Sequence, residues 1–301
     1  MQTFRNLRAL ALAAGLLVGP FATAMPAHAV VKIAASTTDL GSIAKSVGGD
    51  GVEVVAIARP NGDPHRVEVL PSYMVRVARA QVYLKVGLGL DQWADGIIDG
   101  SHNGKLLVVN CSNGVSVLEK PTGKVDASMG DVHPDGNPHY WLDPNNAAIV
   151  ARTIAAEIGK VDPANATMYD QRAEAFAQAA QALAASGAEA MKKLPSTEMI
   201  TYHRSWTYFA NAFGLQVMQT IEPIPGIPPT ARHLQELVDL IKQRRVPVVL
   251  EETYFSEEGG EFLNRQTGIR IVRLAASCDD TSAGSYLMHL QAVLNQLTGA
   301  R

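Results

Sequence analysis

The chain is poor in cysteine, in aromatic residues and in charge of one sign. Only 2 of its 301 residues are cysteine, aromatic residues make up 6%, and the formal net charge is −3. A long run of lysine or arginine is also missing, which argues against a nucleic-acid-binding protein because phosphates are bound through clustered basic side chains. With 47% hydrophobic and 18% charged residues, the composition predicts a folded protein with room for two domains.

The two cysteines, Cys111 and Cys278, leave two interpretations open. In an exported protein such a pair suggests one disulfide. Two separate buried thiols are the alternative, since a free cysteine is often a small core residue.

The chain also lacks an apolar run long enough to span a bilayer. Residues 9–19 are apolar, which is well short of the about 20 residues that a transmembrane helix needs. They follow Arg5 and Arg8 and precede Ala27-His28-Ala29, which has the small–x–small form of a signal-peptide cleavage site. We therefore expect a cleaved signal peptide at residues 1–29 and a periplasmic mature protein. We expect no lipid anchor, because no cysteine lies near the predicted cleavage point.

Eight short runs rich in β-branched residues fall into two groups of four. The first group is Val30–Ala34, Val52–Ile57, Val82–Val86 and Leu106–Asn110, and the second is Glu198–Tyr202, Leu215–Thr220, Val246–Glu251 and Ile269–Leu274. Most are continuously apolar, as expected for parallel strands covered by helices on both faces. Amphipathic segments such as Leu234–Arg244 lie between them. The pattern predicts an α/β fold with two (β/α) lobes, each built on a parallel-rich four-stranded sheet.

The stretch between the two groups, at about residues 145–193, contains no strand pattern. Asp162-Pro163 has the form of a helix start, and the residues that follow are rich in good helix formers. We expect one long backbone helix that joins the lobes, with Gly187 as its weak point, while two helices with a break are the alternative. The predicted organisation is an N-terminal lobe at residues 30–160, a linking helix at 161–194 and a C-terminal lobe at 195–301.

Three of the eight histidines lie at junctions between predicted strands, loops and helices. His65 follows a strand in a Pro/Gly turn, His139 precedes a helix start, and His203 ends a strand. In parallel α/β sheets the ligand crevice lies outside the carboxyl ends of the strands. Asp279 and Asp280 follow the last strand, and either one would complete a set of three imidazoles and one carboxylate that suits Zn²⁺. A helix cap or a solvated turn is the alternative for the two aspartates.

These motifs resemble those of the periplasmic metal-binding proteins of zinc and manganese ABC importers. The resemblance rests on Ser36–Leu40, Gly62–His65, Pro138–Pro144, Tyr202-His203 and a closing helix at Tyr286–Leu297. It implies two lobes joined by one long helix, with a single ion bound in the cleft between them and little movement on binding. The metal ligands implied by the resemblance are His65, His139, His203 and Asp279. Manganese-binding relatives usually have Glu at the third position, so His203 favours zinc.

The resemblance implies a receptor rather than an enzyme. We expect a high-affinity zinc-binding protein that delivers one Zn²⁺, as transported ligand, to an ABC-type membrane permease. We expect a monomer without catalytic or cofactor-binding residues, and we consider a periplasmic zinc chaperone as a second partner. A manganese or iron receptor of the same family, a surface adhesin and an exported zinc hydrolase are the alternatives. A hydrolase needs an open coordination position and a nearby base, and a His-Glu-x-x-His segment is missing.

One departure from the zinc-binding relatives concerns the loop before the second ligand. These relatives often carry a long loop rich in histidine and acidic residues, whereas Val125–Gly136 has His133 as its only histidine. We expect a plain mobile loop that is not needed for equilibrium affinity, and weak capture of zinc by this loop is the alternative.

Overall fold

The computed structural model describes residues 30–299, which form two α/β lobes. The signal peptide predicted at residues 1–29 lies outside the described residues. Within residues 30–299, none of the helices combines the length and the apolar character of a bilayer-spanning segment.

The N-terminal lobe is built on a parallel four-stranded sheet in the order β2-β1-β3-β4. Its strands are β1 (Val31–Ala35), β2 (Val52–Ala56), β3 (Val82–Lys85) and β4 (Leu107–Asn110). Its helices include α1 (Thr38–Gly48), α2 (Pro71–Ala78) and α3 (Trp93–Gly100). The inner strand β3 is buried at Val82, Tyr83 and Leu84, which explains why these three residues are apolar or aromatic.

The C-terminal lobe repeats this arrangement with the order β6-β5-β7-β8. Its strands are β5 (Glu198–Thr201), β6 (Gln216–Thr220), β7 (Val248–Glu252) and β8 (Arg270–Leu274). Its helices include α6 (Thr207–Phe213), α7 (Ala231–Arg244), α8 (Glu258–Thr267) and α9 (Ser285–Thr298). The predicted α/β fold and all eight predicted strands are therefore confirmed, with ends that differ by one or two residues.

Two helices connect the sheets. Helix α4 (Pro144–Val161) begins after Asp143, whose carboxylate accepts a hydrogen bond from the Asn145 N–H. After one 3-10 turn, α5 runs without a break over Ala166–Met191. It packs against α1 and α4 of the first lobe and against α6 and α9 of the second, which is the role predicted for the linking helix.

Gly187 is not the weak point of α5 that its sequence suggests. A Cβ at this position would lie 2.5 Å from Phe213 Cε1 and 2.8 Å from Leu294 Cδ1. The glycine therefore lets α5 approach α6 and α9 closely, and packing compensates for its low helix propensity.

The two lobes also contact each other directly. The largest cluster of buried apolar residues runs through both, and hydrogen bonds cross between them. Thr38 donates its hydroxyl to the Cys278 carbonyl at 2.6 Å, and the Trp141 indole N–H donates to the Ala276 carbonyl at 3.1 Å. Cys278 and Cys111 are both buried free thiols, so of the two interpretations the structure shows the one without a disulfide.

Candidate metal centre

His65, His139 and His203 come together between the lobes. One ring nitrogen of each lies within 4.8 Å of one from the other two. Their ring centroids are 5.1 to 5.4 Å apart. Of the residues that the structure describes, no other His, Cys, Asp or Glu joins this group.

His65 and His139 are held by the same local motif, an Asp or Asn followed by Pro and His. The Asp63 carboxylate accepts hydrogen bonds from the His65 backbone N–H at 2.9 Å and from its Nδ1 at 2.8 Å. Asn137 Oδ1 accepts the corresponding bonds from His139 at 3.0 and 2.9 Å. Because an acceptor two residues before the histidine binds both backbone and ring, each ring is fixed by its own segment.

His203 is held by the neighbouring strand instead. It follows β5, and the backbone N–H of Glu222, just after β6, donates to the Tyr202 carbonyl at 3.0 Å. This pairing places the Glu222 carboxylate 2.7 Å from His203 Nδ1, and both side chains are only 6% exposed. The carboxylate also accepts the Gly226 N–H at 3.1 Å.

The three acceptors determine which nitrogen of each ring is free. A carboxylate oxygen or an amide oxygen can only accept, so Nδ1 of each ring carries the hydrogen. Nε2 is then the atom with the lone pair, which is the arrangement found in metal-binding histidines. Nε2 of His65 and of His139 is buried and has no hydrogen-bond partner within the protein.

The surroundings keep His139 neutral. Burial, together with the neighbouring imidazoles of His65, His203 and His133, holds the pKa of His139 well below its usual value. Burial also raises the pKa of the Asp63 carboxyl, but its bonds to His65 outweigh this effect and lower that pKa overall. His139 therefore presents a neutral nitrogen donor, and an ionised carboxylate supports the ring of His65.

This arrangement fits one divalent cation. Nitrogens about 2.0–2.1 Å from a tetrahedral ion lie about 3.4 Å from each other. The ring nitrogens of the cluster lie within 4.8 Å of one another, so each pair has to come closer by at most about 1.4 Å. The adjoining cavity, lined in part by His139 and His203, has a volume of ≈ 40 Å³. That space suits an ion and is far below the about 300–1,000 Å³ of a typical organic-ligand pocket.

Asp279, predicted as the fourth ligand, is not in this group. Its side chain is exposed, and its charge acts on His289 of α9. Burial lowers the pKa of His289, and the negative charge of Asp279 only partly offsets this effect. The preceding residue is anchored to α1, because the Cys278 N–H donates to the Asp39 carboxylate at 3.1 Å. Asp280 accepts the Ser282 N–H at 2.8 Å, so it caps a turn.

A fourth imidazole, that of His133, lies beside the cluster, whereas the sequence favours a plain mobile loop at this position. Its ring stacks on His65 with centroids 5.3 Å apart, and its Nε2 is buried without a hydrogen-bond partner. Burial, followed by the neighbouring His65 and His203, lowers the pKa of His133 to about 4. The segment that carries it therefore packs into the site, in contrast to the plain loop predicted. The only sequence signal was a single histidine in an otherwise polar loop.

The buried acidic residues behind the site have different roles. Glu222 supports His203, whereas Glu251 pairs with Arg273 at 3.0 Å. Glu252 is buried, and burial raises its pKa to about 8 even though an interaction with the Ser205 hydroxyl opposes this effect. The ring centroid of Trp141 lies 5.3 Å from that of His139.

Comparison with known proteins identifies the family. The family model of ZnuA, described as the periplasmic component A of a zinc-uptake complex, matches residues 33–300. The chain belongs to the ZnuA family. Members of this family are metal-binding solute-binding proteins that act with the permease and ATPase components of ABC importers, and they are not enzymes. The expected resemblance and the expected absence of enzyme activity are thus confirmed.

Individual relatives cover most of the chain and differ in the metal that they are named for. The iron-binding protein YfeA of Yersinia pestis is 26% identical over 243 residues, which are 79% of this chain and 74% of YfeA. The manganese-binding lipoprotein MntA of Halalkalibacterium halodurans is 24% identical over 243 residues, 80% of this chain and 77% of MntA. A crystal structure of ZnuA superposes with a TM-score of 0.79 at 26% identity and covers 90% of this chain and 99% of that one.

Proposed function

We propose that this protein is a high-affinity zinc receptor that binds one Zn²⁺ through Nε2 of His65, His139 and His203 and delivers it to an ABC-type permease. The observation that carries the proposal is the convergence of three imidazoles, each with its Nδ1 bonded to an acceptor. The sequence predicts Asp279 for the fourth position, although its side chain is exposed and outside this group.

The donor set favours zinc over manganese. Imidazole nitrogen suits zinc, whereas manganese prefers carboxylate and other oxygen ligands. The carboxylates of Asp63 and Glu222 contact histidine Nδ1 atoms rather than the centre of the cluster. Relatives named for iron and manganese make those ions the competing candidates.

The proposed setting is the periplasm, reached after removal of residues 1–29. The protein would act as a monomer without a lipid anchor, and a periplasmic zinc chaperone is the proposed source of the ion. Hydrogen bonds between the lobes on either side of the site, such as Trp141 to Ala276, favour an ion that enters with little rigid-body motion of the lobes.

Metal content and competition test the proposal. Purified protein would be stripped with a chelator, loaded with equimolar Zn²⁺ and Mn²⁺, and analysed for bound metal. We expect one zinc per chain and displacement of Mn²⁺ by Zn²⁺. His65→Ala, His139→Ala and His203→Ala should each lower zinc affinity at least about 10-fold, since even the loss of a ligand's hydrogen-bond partner costs about 10–100-fold.

The matched control is His102→Asn, which removes an exposed histidine outside the cluster. Asparagine tolerates the positive φ of 53° at this position. Preferential loading with Mn²⁺, or an affinity for zinc that none of the three alanine variants changes, would contradict the proposal.

A further inference from the structure

The ring of His133 lies against the backbone of the N-terminal lobe at Gly89. This ring is hydrogen-bonded to the backbone of Gly89, and a Cβ on Gly89 would lie 3.3 Å from His133 Nδ1. Nδ1 therefore faces a backbone group of the N-terminal lobe. Nε2 is the other ring nitrogen, and it is buried without a hydrogen-bond partner, as in His65 and His139.

The segment Gly130–His133 is fastened to both lobes. The Asp131 N–H donates to the Pro225 carbonyl at 2.8 Å, and the Asp131 carboxylate lies 3.6 Å from Arg66 Nη2. Gly226 leaves room for that carboxylate, since a Cβ there would lie 2.2 Å from Asp131 Oδ2. These contacts place the segment over the three-histidine cluster.

The same contacts connect the segment to two of the clustered histidines. Arg66 follows His65 in the chain, and Gly226 donates its N–H to the Glu222 carboxylate that binds His203. His133 also lines the cavity of ≈ 40 Å³ together with His139 and His203. An ion in that cavity would therefore face His133 as well as the cluster.

We propose that His133 supplies the fourth ligand, so that the ion is bound by four imidazole nitrogens in the conformation in which Asp131 contacts Pro225 and Arg66. This inference rests on the proposed function, because it concerns the ion that His65, His139 and His203 bind. It assigns to the loop a direct contact with the metal and assigns none to Asp279.

Geometry favours His133 over Asp279 for this role. Nε2 of His133 is already buried beside the cluster, whereas Asp279 is exposed and follows a residue anchored to α1 through Asp39. Zinc is commonly bound by neutral histidine nitrogens, and the carboxylates bonded to His65 and His203 lie close enough to offset part of the charge of the ion.

Only a local movement is required for coordination. His133 is not in the group whose nitrogens lie within 4.8 Å of one another, so its ring has to move towards the ion. His133 lies between Gly130 and Gly136, whose φ values are 65° and 109°. Glycine adopts these values without strain, so both positions can absorb such a movement.

The test counts imidazole ligands directly. X-ray absorption spectra would be recorded for the full mature chain loaded with one equivalent of Zn²⁺, in the wild type and in the variants His133→Ala and Asp279→Ala. We expect four imidazoles in the wild type and in Asp279→Ala, and three in His133→Ala. By chelator competition, His133→Ala should lose at least about 10-fold in affinity, while Asp279→Ala and the control His102→Asn should stay within about 3-fold of wild type.

If the wild type shows three imidazoles and one oxygen and His133→Ala shows the same ligands, the inference is wrong. That result would not contradict the proposed receptor with three histidine ligands. Zinc bound by fewer than three imidazoles in the wild type would contradict both this inference and the proposed function. Circular dichroism of each variant shows whether it is folded. If His133→Ala does not fold, His133→Gln provides the same comparison, because its spectrum should show three imidazoles.

Discussion

Replacing Glu222 by Gln should weaken zinc binding without changing the shape of the site. The Glu222 carboxylate accepts the Nδ1 hydrogen of His203 at 2.7 Å and the Gly226 N–H at 3.1 Å. The amide oxygen of glutamine can accept both bonds, so the substitution removes mainly the negative charge. That charge makes the imidazole a better donor to the ion and also attracts the ion directly.

The size of the effect follows from the burial of the pair. Removing such a partner of a metal-binding histidine usually costs about 10–100-fold in affinity. His203 and Glu222 are each only 6% exposed, so solvent screens the charge weakly, and hydrogen bonds to an ionised group are roughly twice as strong as neutral ones. We therefore expect a loss of about 30–100-fold, or about 2–3 kcal/mol.

The assay is competition with a chelator of known zinc affinity at neutral pH, with circular dichroism to confirm folding. The matched control is Glu251→Gln, which neutralises another buried carboxylate of the same lobe that pairs with Arg273 and contacts no histidine. Its zinc affinity should stay within about 3-fold of wild type. If Glu222→Gln binds zinc as tightly as this control, His203 does not bind the ion through Nε2 in the way that we infer.

Three further predictions concern protons and packing. Zinc affinity should fall as pH drops from 7 to 5, because protons compete for the imidazoles. Burial holds the pKa of His139 well below its usual value, so fewer protons should leave this ring when metal binds, and the slope near pH 5–6 should stay below about three per pH unit. A slope of three in a chelator titration would show that the pKa of His139 is not lowered. Gly187→Ala should lower the free energy of unfolding measured in urea. Overpacking against Phe213 and Leu294 costs about 1–3 kcal/mol, whereas the better helix propensity of alanine regains at most about 1 kcal/mol. A gain in stability would contradict the close packing. Burial raises the pKa of Glu252 to about 8. Its protonated form therefore contributes stability that is complete below the ordinary glutamate pKa and is lost as pH rises through about 8. The stability of Glu252→Gln should change less between pH 6 and 9 than that of the wild type, and an equal pH dependence would refute the raised pKa.

Much of the fold could be predicted because local sequence signals agree with tertiary structure. Buried parallel strands require continuous apolar runs, and Asp143-Pro144 is both a helix-start signal and the actual start of α4. Gly187 was misjudged because its value lies in contacts with Phe213 and Leu294, which are distant in the chain. Helix propensity describes only local cost.

The site was predictable in part for the same reason. The positions of His65 and His203 after strands indicate a shared crevice, and the repeated Asx-Pro-His pattern at Asp63 and Asn137 could also have revealed the two Nδ1 acceptors. The place of His133 could not be read from the sequence. It depends on a bond from Asp131 to Pro225 of the other lobe and on the close approach to Gly89.

A zinc-loaded crystal structure with anomalous diffraction at the zinc edge tests the central claim most directly. We expect one strong peak between the lobes, about 2.0–2.1 Å from Nε2 of His65, His139 and His203, with their Nδ1 atoms still bonded to Asp63, Asn137 and Glu222. A peak bound through Nδ1, a peak away from these three rings, or a peak that contacts only one or two of them would contradict it.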